Sequence, residues 1–144
     1  MSELQVKGII GTCVTVFTYL IGCINILVIV VAILMILDYI SGLGAAFVRQ
    51  DLSSRKSLIG VFKKLGYLTI LLLAFLLDLS IIYLVDTAGY TFPSQGIFGI
   101  ITSVWLIGSE GLSVLENLDE IGVKIPKKLS QAFGKMSKEG DGEA

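Results

Sequence analysis

The sequence predicts an all-α integral membrane protein with three transmembrane helices, or four if the first apolar run is a short hairpin, together with basic amphipathic cytoplasmic segments. Three observations carry that expectation. The 144 residues are 54% hydrophobic and only 16% charged, where soluble domains carry about 25% charge. The mean hydropathy is +0.86. Three long apolar runs are separated by short charged stretches, and a crossing of the ~30 Å hydrocarbon layer consumes about 20 helical residues. A single membrane domain is therefore expected over residues 1–138, with spans at about 8–37, 65–85 and 97–115, a cytoplasmic loop over 38–64, a basic cytoplasmic tail over 116–138 and a disordered end over 139–144.

The first run, Gly8 to Leu37, is 30 residues without a charge. One helix of that length would measure about 45 Å, too long for one upright span and short for two. It forms either one tilted helix or, breaking near Gly22-Cys23-Ile24-Asn25, a short arm followed by a full span; one crossing is the preferred reading. The second run, Leu65 to Val85, holds nine Leu, three Ile, one Phe and one Val around Asp78. Those apolar residues contribute about −6 kcal/mol to insertion, against roughly +3 kcal/mol for one central carboxylate, so the segment inserts despite Asp78. The third run, Ile97 to Leu115, contains Trp105 and, near its far end, Glu110. Between the last two, Tyr83, Tyr90, Phe92 and the breaker Pro93 suit a membrane–water interface.

Basic residues set the orientation, because Lys and Arg are retained in cytoplasmic loops. Ten of the 11 lie in the central loop (Arg49, Arg55, Lys56, Lys63, Lys64) and the tail (Lys124, Lys127, Lys128, Lys135, Lys138); Lys7 is the other. Central loop and C-terminus are thus expected in the cytoplasm, with the N-terminus outside for three crossings. Leu58, Ile59, Phe62 and Leu65 recur at helical spacing beside Lys56, Lys63 and Lys64, and Leu129, Phe133 and Met136 beside Lys128 and Lys135. Both stretches read as short interfacial helices, with Arg55, Lys56, Lys63, Lys64, Lys124, Lys127 and Lys128 at the lipid surface, or as ordinary solvated flanks.

Small and hydrogen-bonding residues drive helix association in lipid. The third span carries Gly96, Gly99, Ser103, then Leu106, then Glu110, Ser113 and Asn117 at steps of three and four, and the first carries Gly8, Gly11, Thr15, Thr18, Gly22 and Asn25. Each stripe either packs inside one bundle or pairs with other copies and faces water once a ring forms. Ionisable groups at membrane depth are functional candidates by default. Asp78 is the deepest; it can be a protonated packing residue, an interhelical hydrogen-bonding group or a pore-lining group, whereas Asp38 and Glu110 can reach an interface.

Catalysis is not expected. The chain has no His and two cysteines, Cys13 and Cys23, ten residues apart in the first run, so it offers no imidazole base and no closed metal cage. No cofactor and no nucleic-acid partner are anticipated.

Particular strings carry a resemblance: Asp38-Tyr39-Ile40-Ser41-Gly42, Ser53-Ser54 followed by Gly60-Val61-Phe62-Lys63-Lys64, Leu76-Leu77-Asp78, and above all Glu110-Gly111-Leu112-Ser113-Val114-Leu115-Glu116-Asn117-Leu118 continuing into Ile121-Gly122-Val123-Lys124-Ile125-Pro126-Lys127-Lys128-Leu129. The chain resembles the phage holin family that includes the toxin-secretion holins of clostridia, from about Gly11 to Leu129. One departure is Asn25, where members of that family often carry an acidic residue after a Gly-rich break. The resemblance implies a multi-pass protein of the bacterial cytoplasmic membrane that self-associates and opens a lesion for a cytoplasmic endolysin or a protein toxin. A small oligomeric ion or solute channel, or a non-perforating scaffold, shares much of the pattern; a channel should also carry a selectivity ring.

Overall fold

The computed structural model describes residues 3–91 and 96–141. Five helices account for most of them: α1 (Glu3–Gly22), α2 (Ile26–Val48), α3 (Ser54–Thr87), α4 (Ile97–Glu120) and α5 (Lys127–Asp141). The first four are each long and apolar enough to cross a membrane. Phe92 and Pro93 of the aromatic link, and residues 142–144 of the expected disordered end, lie outside the described residues.

The first apolar run is not one tilted helix. It breaks at Cys23-Ile24-Asn25, and Asn25 supplies the physical reason: with extended backbone, its Oδ1 accepts hydrogen bonds from the backbone N–H of Leu27 at 2.9 Å and Val28 at 3.3 Å. Asn25 therefore starts α2 as its N-cap and is not the last member of the α1 stripe. The stretch expected as a cytoplasmic loop over 38–64 is also mostly helical. Helix α2 continues past Asp38 to Val48, and α3 joins the expected interfacial helix and the second span into one element of 34 residues, about 51 Å long. Only residues 49–53 connect them.

Helix α4 is the centre, packed by α2, α3 and α5, whereas α2 and α3 meet sparingly. The core joins Val31 and Met35 of α2, Leu71 of α3 and Leu106 and Ile107 of α4, flanked by Tyr67, Phe75, Trp105, Phe133 and Met136. Tyr67 and Trp105 stack edge to face, centroids 5.8 Å apart, an arrangement aromatic quadrupoles favour. At one end of the bundle the small residues of α2 allow close approach to α4: Ala45 is fully buried, and Gly42 and Gly44 abut Asn117 and Ile121.

After α4 the chain reverses at Gly122, whose φ of +95° is a conformation that L side chains rarely adopt. The reversal lays α5 back along α4. Residues 139–141, expected to be disordered, complete α5 instead. Helix α1 differs from the other three apolar helices, with no buried residue.

Candidate functional site

The polar residues of the bundle collect at two levels on α4. At its start, Asp78 of α3 is 1% exposed, and its carboxylate accepts the backbone N–H of Phe98 at 3.0 Å and of Gly99 at 2.7 Å. The first N–H groups of any helix lack partners within it and attract negative charge. A neighbouring helix thus caps α4, which lacks a side-chain cap of its own at Gly96. Of the three roles open to Asp78 in the sequence, the interhelical hydrogen bond is the one observed. Glycine is required for this approach, since a Cβ at Gly96 would overlap the Asp78 carboxyl group and one at Gly99 the Phe75 ring.

Fourteen residues earlier in α3, Lys64 meets two carboxylates from two other helices. Its Nζ donates to Asp38 Oδ2 of α2 at 2.8 Å and to Glu110 Oε2 of α4. Glu110 is 3% exposed. Asn117 Nδ2 extends the network, donating to Asp38 Oδ1 at 2.9 Å and to Ser41 Oγ at 3.1 Å. A polar cleft of about 230 Å³ opens beside it, lined in part by Gly42, Ser57, Gly60 and Ser113. A buried and a partly buried carboxylate sharing one ammonium tie α2, α3 and α4 at one level, and removing Lys64 would leave both carboxylates without their counter-charge. Lys64 therefore does not belong with the surface lysines; Lys63 next to it does stay exposed. Beyond this level the exposed pair Arg49 and Glu120 joins the ends of α2 and α4 at 2.8 Å.

The two sequence stripes fare differently. In α4, Gly96, Gly99, Ser103, Glu110 and Asn117 are all engaged within the chain, Ser103 by donating to the Gly99 carbonyl at 2.7 Å while 1% exposed, and Ser113 lines the polar cleft. In α1, Gly8, Gly11 and Gly22 face open space, Thr15 donates to its own helix at Gly11, and Thr18 is exposed. The structure brings the first set together and leaves the second apart. Arg55, Lys63, Lys124, Lys127 and Lys128 are exposed; the Lys56 side chain is outside the described residues. Among the described residues no three His, Cys, Asp or Glu side chains converge as metal ligands would.

Two sets of residues escaped the sequence reading. Gly42, Gly44 and Ala45 let α2 approach α4, and their clustering as Ser41-Gly42-Leu43-Gly44-Ala45 is the signal that could have found them. Gly108 and Gly111 receive α5: a Cβ at Gly108 would collide with Met136 and the Ser137 backbone, and one at Gly111 with the Phe133 ring. Their one-turn spacing was the available signal.

The sequence profile described as the bacteriophage holin family matches residues 15–138. An uncharacterized 14.9 kDa protein of Clostridium perfringens is 32% identical over 123 residues, covering 85% of this chain and 86% of that protein. An uncharacterized protein of Listeria innocua, Lin0175, is 32% identical over 114 residues, covering 79% of this chain and 74% of the relative. A protein of Bacillus phage phi105 named a probable holin is 28% identical over 109 residues, covering 76% and 73%. No solved structure matches.

Proposed function

Because the chain belongs to the bacteriophage holin family, we propose that it accumulates in the bacterial cytoplasmic membrane, associates with further copies of itself and opens that membrane to a cytoplasmic passenger, an endolysin or a protein toxin. The observation that carries this reading is the contrast between the helices. Three of the four apolar helices are tied together by Asp78 and by the Lys64 network, while α1 has no buried residue and leaves its stripe of small residues along an open groove beside Leu79, Ser80, Tyr83 and Leu84 of α3. A helix so lightly packed on its own subunit is suited to contacts in the plane of the membrane.

The ten-to-one distribution of Lys and Arg supports a cytoplasmic C-terminus. A reporter fused after Ala144 should be active in the cytoplasm and one inserted in the link over 86–96 outside it; a link reporter active only in the cytoplasm would overturn this orientation. The function is tested by inducible expression in bacteria with the membrane potential followed in time. Abrupt collapse after a delay supports perforation. A steady ion-specific leak would mean a channel, and an unchanged potential a scaffold.

A further inference from the structure

Helix α5 is placed where its own chemistry does not suit it. Six of its 15 residues are charged, and Lys135 and Lys138 remain exposed on its outer side. Yet Met136 and Phe133 reach Gly108 and Gly111 of α4, and Gly108 is the midpoint of that candidate span, about 17 Å along the helix from Ile97. Lysines held beside the middle of an apolar helix oppose surrounding that helix with lipid. Among the described residues no side-chain hydrogen bond or ion pair joins α5 to the bundle. Packing along α4, closest in two glycine notches, holds it, and the same face, with Leu129, would serve equally on an anionic bilayer flanked by lysines. One apolar face cannot occupy both places at once.

The α4 surface beneath α5 has a particular character. Nine residues separate Gly99 from Gly108, which turns the helix about half a revolution beyond two full turns, so the Gly108/Gly111 face lies opposite the stripe bound to Asp78 and Lys64. It is the side of α4 left for another helix once α5 departs, and glycines one turn apart permit backbone-close packing of helices in lipid. We infer that α5 is a releasable clamp that, when docked, occludes the Gly108/Gly111 face of α4 and, when released, yields that face to α4 of a second copy of this chain. The inference rests on the reading of self-association above and deepens it by naming a surface and the element that withholds it.

The test uses the full chain with Cys13→Ala and Cys23→Ala. A Cβ at Gly111 stands 3.0 Å from Phe133 Cγ, so Gly111→Cys with Phe133→Cys places the two Cβ atoms within about 4.5 Å, in disulfide range. In dye-loaded vesicles of phosphatidylethanolamine and phosphatidylglycerol, the oxidised pair should yield at least tenfold fewer amine-crosslinked oligomers and at least tenfold slower dye release than the same sample after reduction. Reduction of one sample also separates locking from misfolding. Independently, Gly111→Cys should give at least fivefold more disulfide-linked dimer when combined with Phe133→Ser and Met136→Ser than alone.

Failure of the pair to oxidise within the subunit, equal oligomers before and after reduction, or unchanged dimer yield on undocking would each overturn the clamp. Equal dye release with equal oligomers would sink the clamp and leave perforation standing. A difference in oligomers and dimers without any dye release would uphold the clamp and sink perforation.

Discussion

Helices α1 and α4 carry the same kind of pattern, small and polar residues every three or four positions on an apolar helix, and the molecule uses them in opposite ways. Helix α4 has eight buried residues and α1 none. The difference lies in what faces each stripe. The α4 stripe meets complementary groups: a carboxylate at its unpaired N–H groups, an ammonium at Glu110, a carboxylate at Asn117. Across from the α1 stripe, Leu79, Ser80, Tyr83 and Leu84 of α3 border an open groove without packing into it, and the Thr15 hydroxyl turns to its own backbone. Small-residue periodicity therefore marks a helix able to approach another closely, and the polar partners on neighbouring helices decide whether that approach occurs within the subunit.

The sharpest way to break the α4 side of this comparison is to remove Lys64. Lys64→Met would leave the Asp38 and Glu110 carboxylates facing each other in a site where the three side chains are 4–17% exposed. Loss of one member of a buried ion network costs about 3–5 kcal/mol. Unfolding in detergent should show a loss of that size, and a triple variant that adds Asp38→Asn and Glu110→Gln should recover most of it. A Lys64→Met protein as stable as the parent would show that the network does not hold α2, α3 and α4 together.

Next in size is Gly99→Leu, where the new side chain overlaps Phe75. Overpacking costs about 1–3 kcal/mol, so the stable monomer should decline. Ile100→Leu, off the stripe and at the edge of exposure, should be tolerated. Equal loss at both positions would mean that the stripe has no direction. Asp78→Leu should cost somewhat less, about 0.5–2 kcal/mol for a lost cap, and should still insert because its segment is rich in Leu. Its effect is expected in oligomerisation or in the onset of permeabilisation; unchanged behaviour in both assays would remove Asp78 from the functional residues.

These outcomes bear on how much the sequence could reveal. Helix class and the three apolar runs were legible, because uncharged runs of that length have few other uses. The break at Asn25 was open in the sequence, since one capping amide decides it and thirty uncharged residues supply no charge to mark the place. Lys63 and Lys64 were indistinguishable there: about 100° of helix rotation separates them, and only the positions of Asp38 and Glu110 select Lys64. The partner of Asp78 was hidden for a different reason, as backbone N–H groups leave no mark in side-chain patterns. Helix α5 was recognisable as an amphipathic helix, but the apolar surface it covers was not, because lipid and a glycine-notched helix present the same chemistry to Phe133 and Met136.

The smallest expected effect on stability is at Gly11, and it sharpens the comparison most. A Cβ there meets nothing within 4 Å, and surface substitutions without partners usually stay within about 0.5 kcal/mol. Gly11→Leu should therefore leave the monomer as stable as the parent, in contrast with Gly99→Leu. Leucine nevertheless fills the gap that would let another backbone approach α1 closely. If the α1 stripe joins copies, crosslinked oligomers and permeabilisation should fall while monomer stability holds, a separation that no α4 stripe variant should produce. Loss of monomer at Gly11 equal to that at Gly99 would instead place α1 inside the subunit's own packing, and the two stripes would then do the same work.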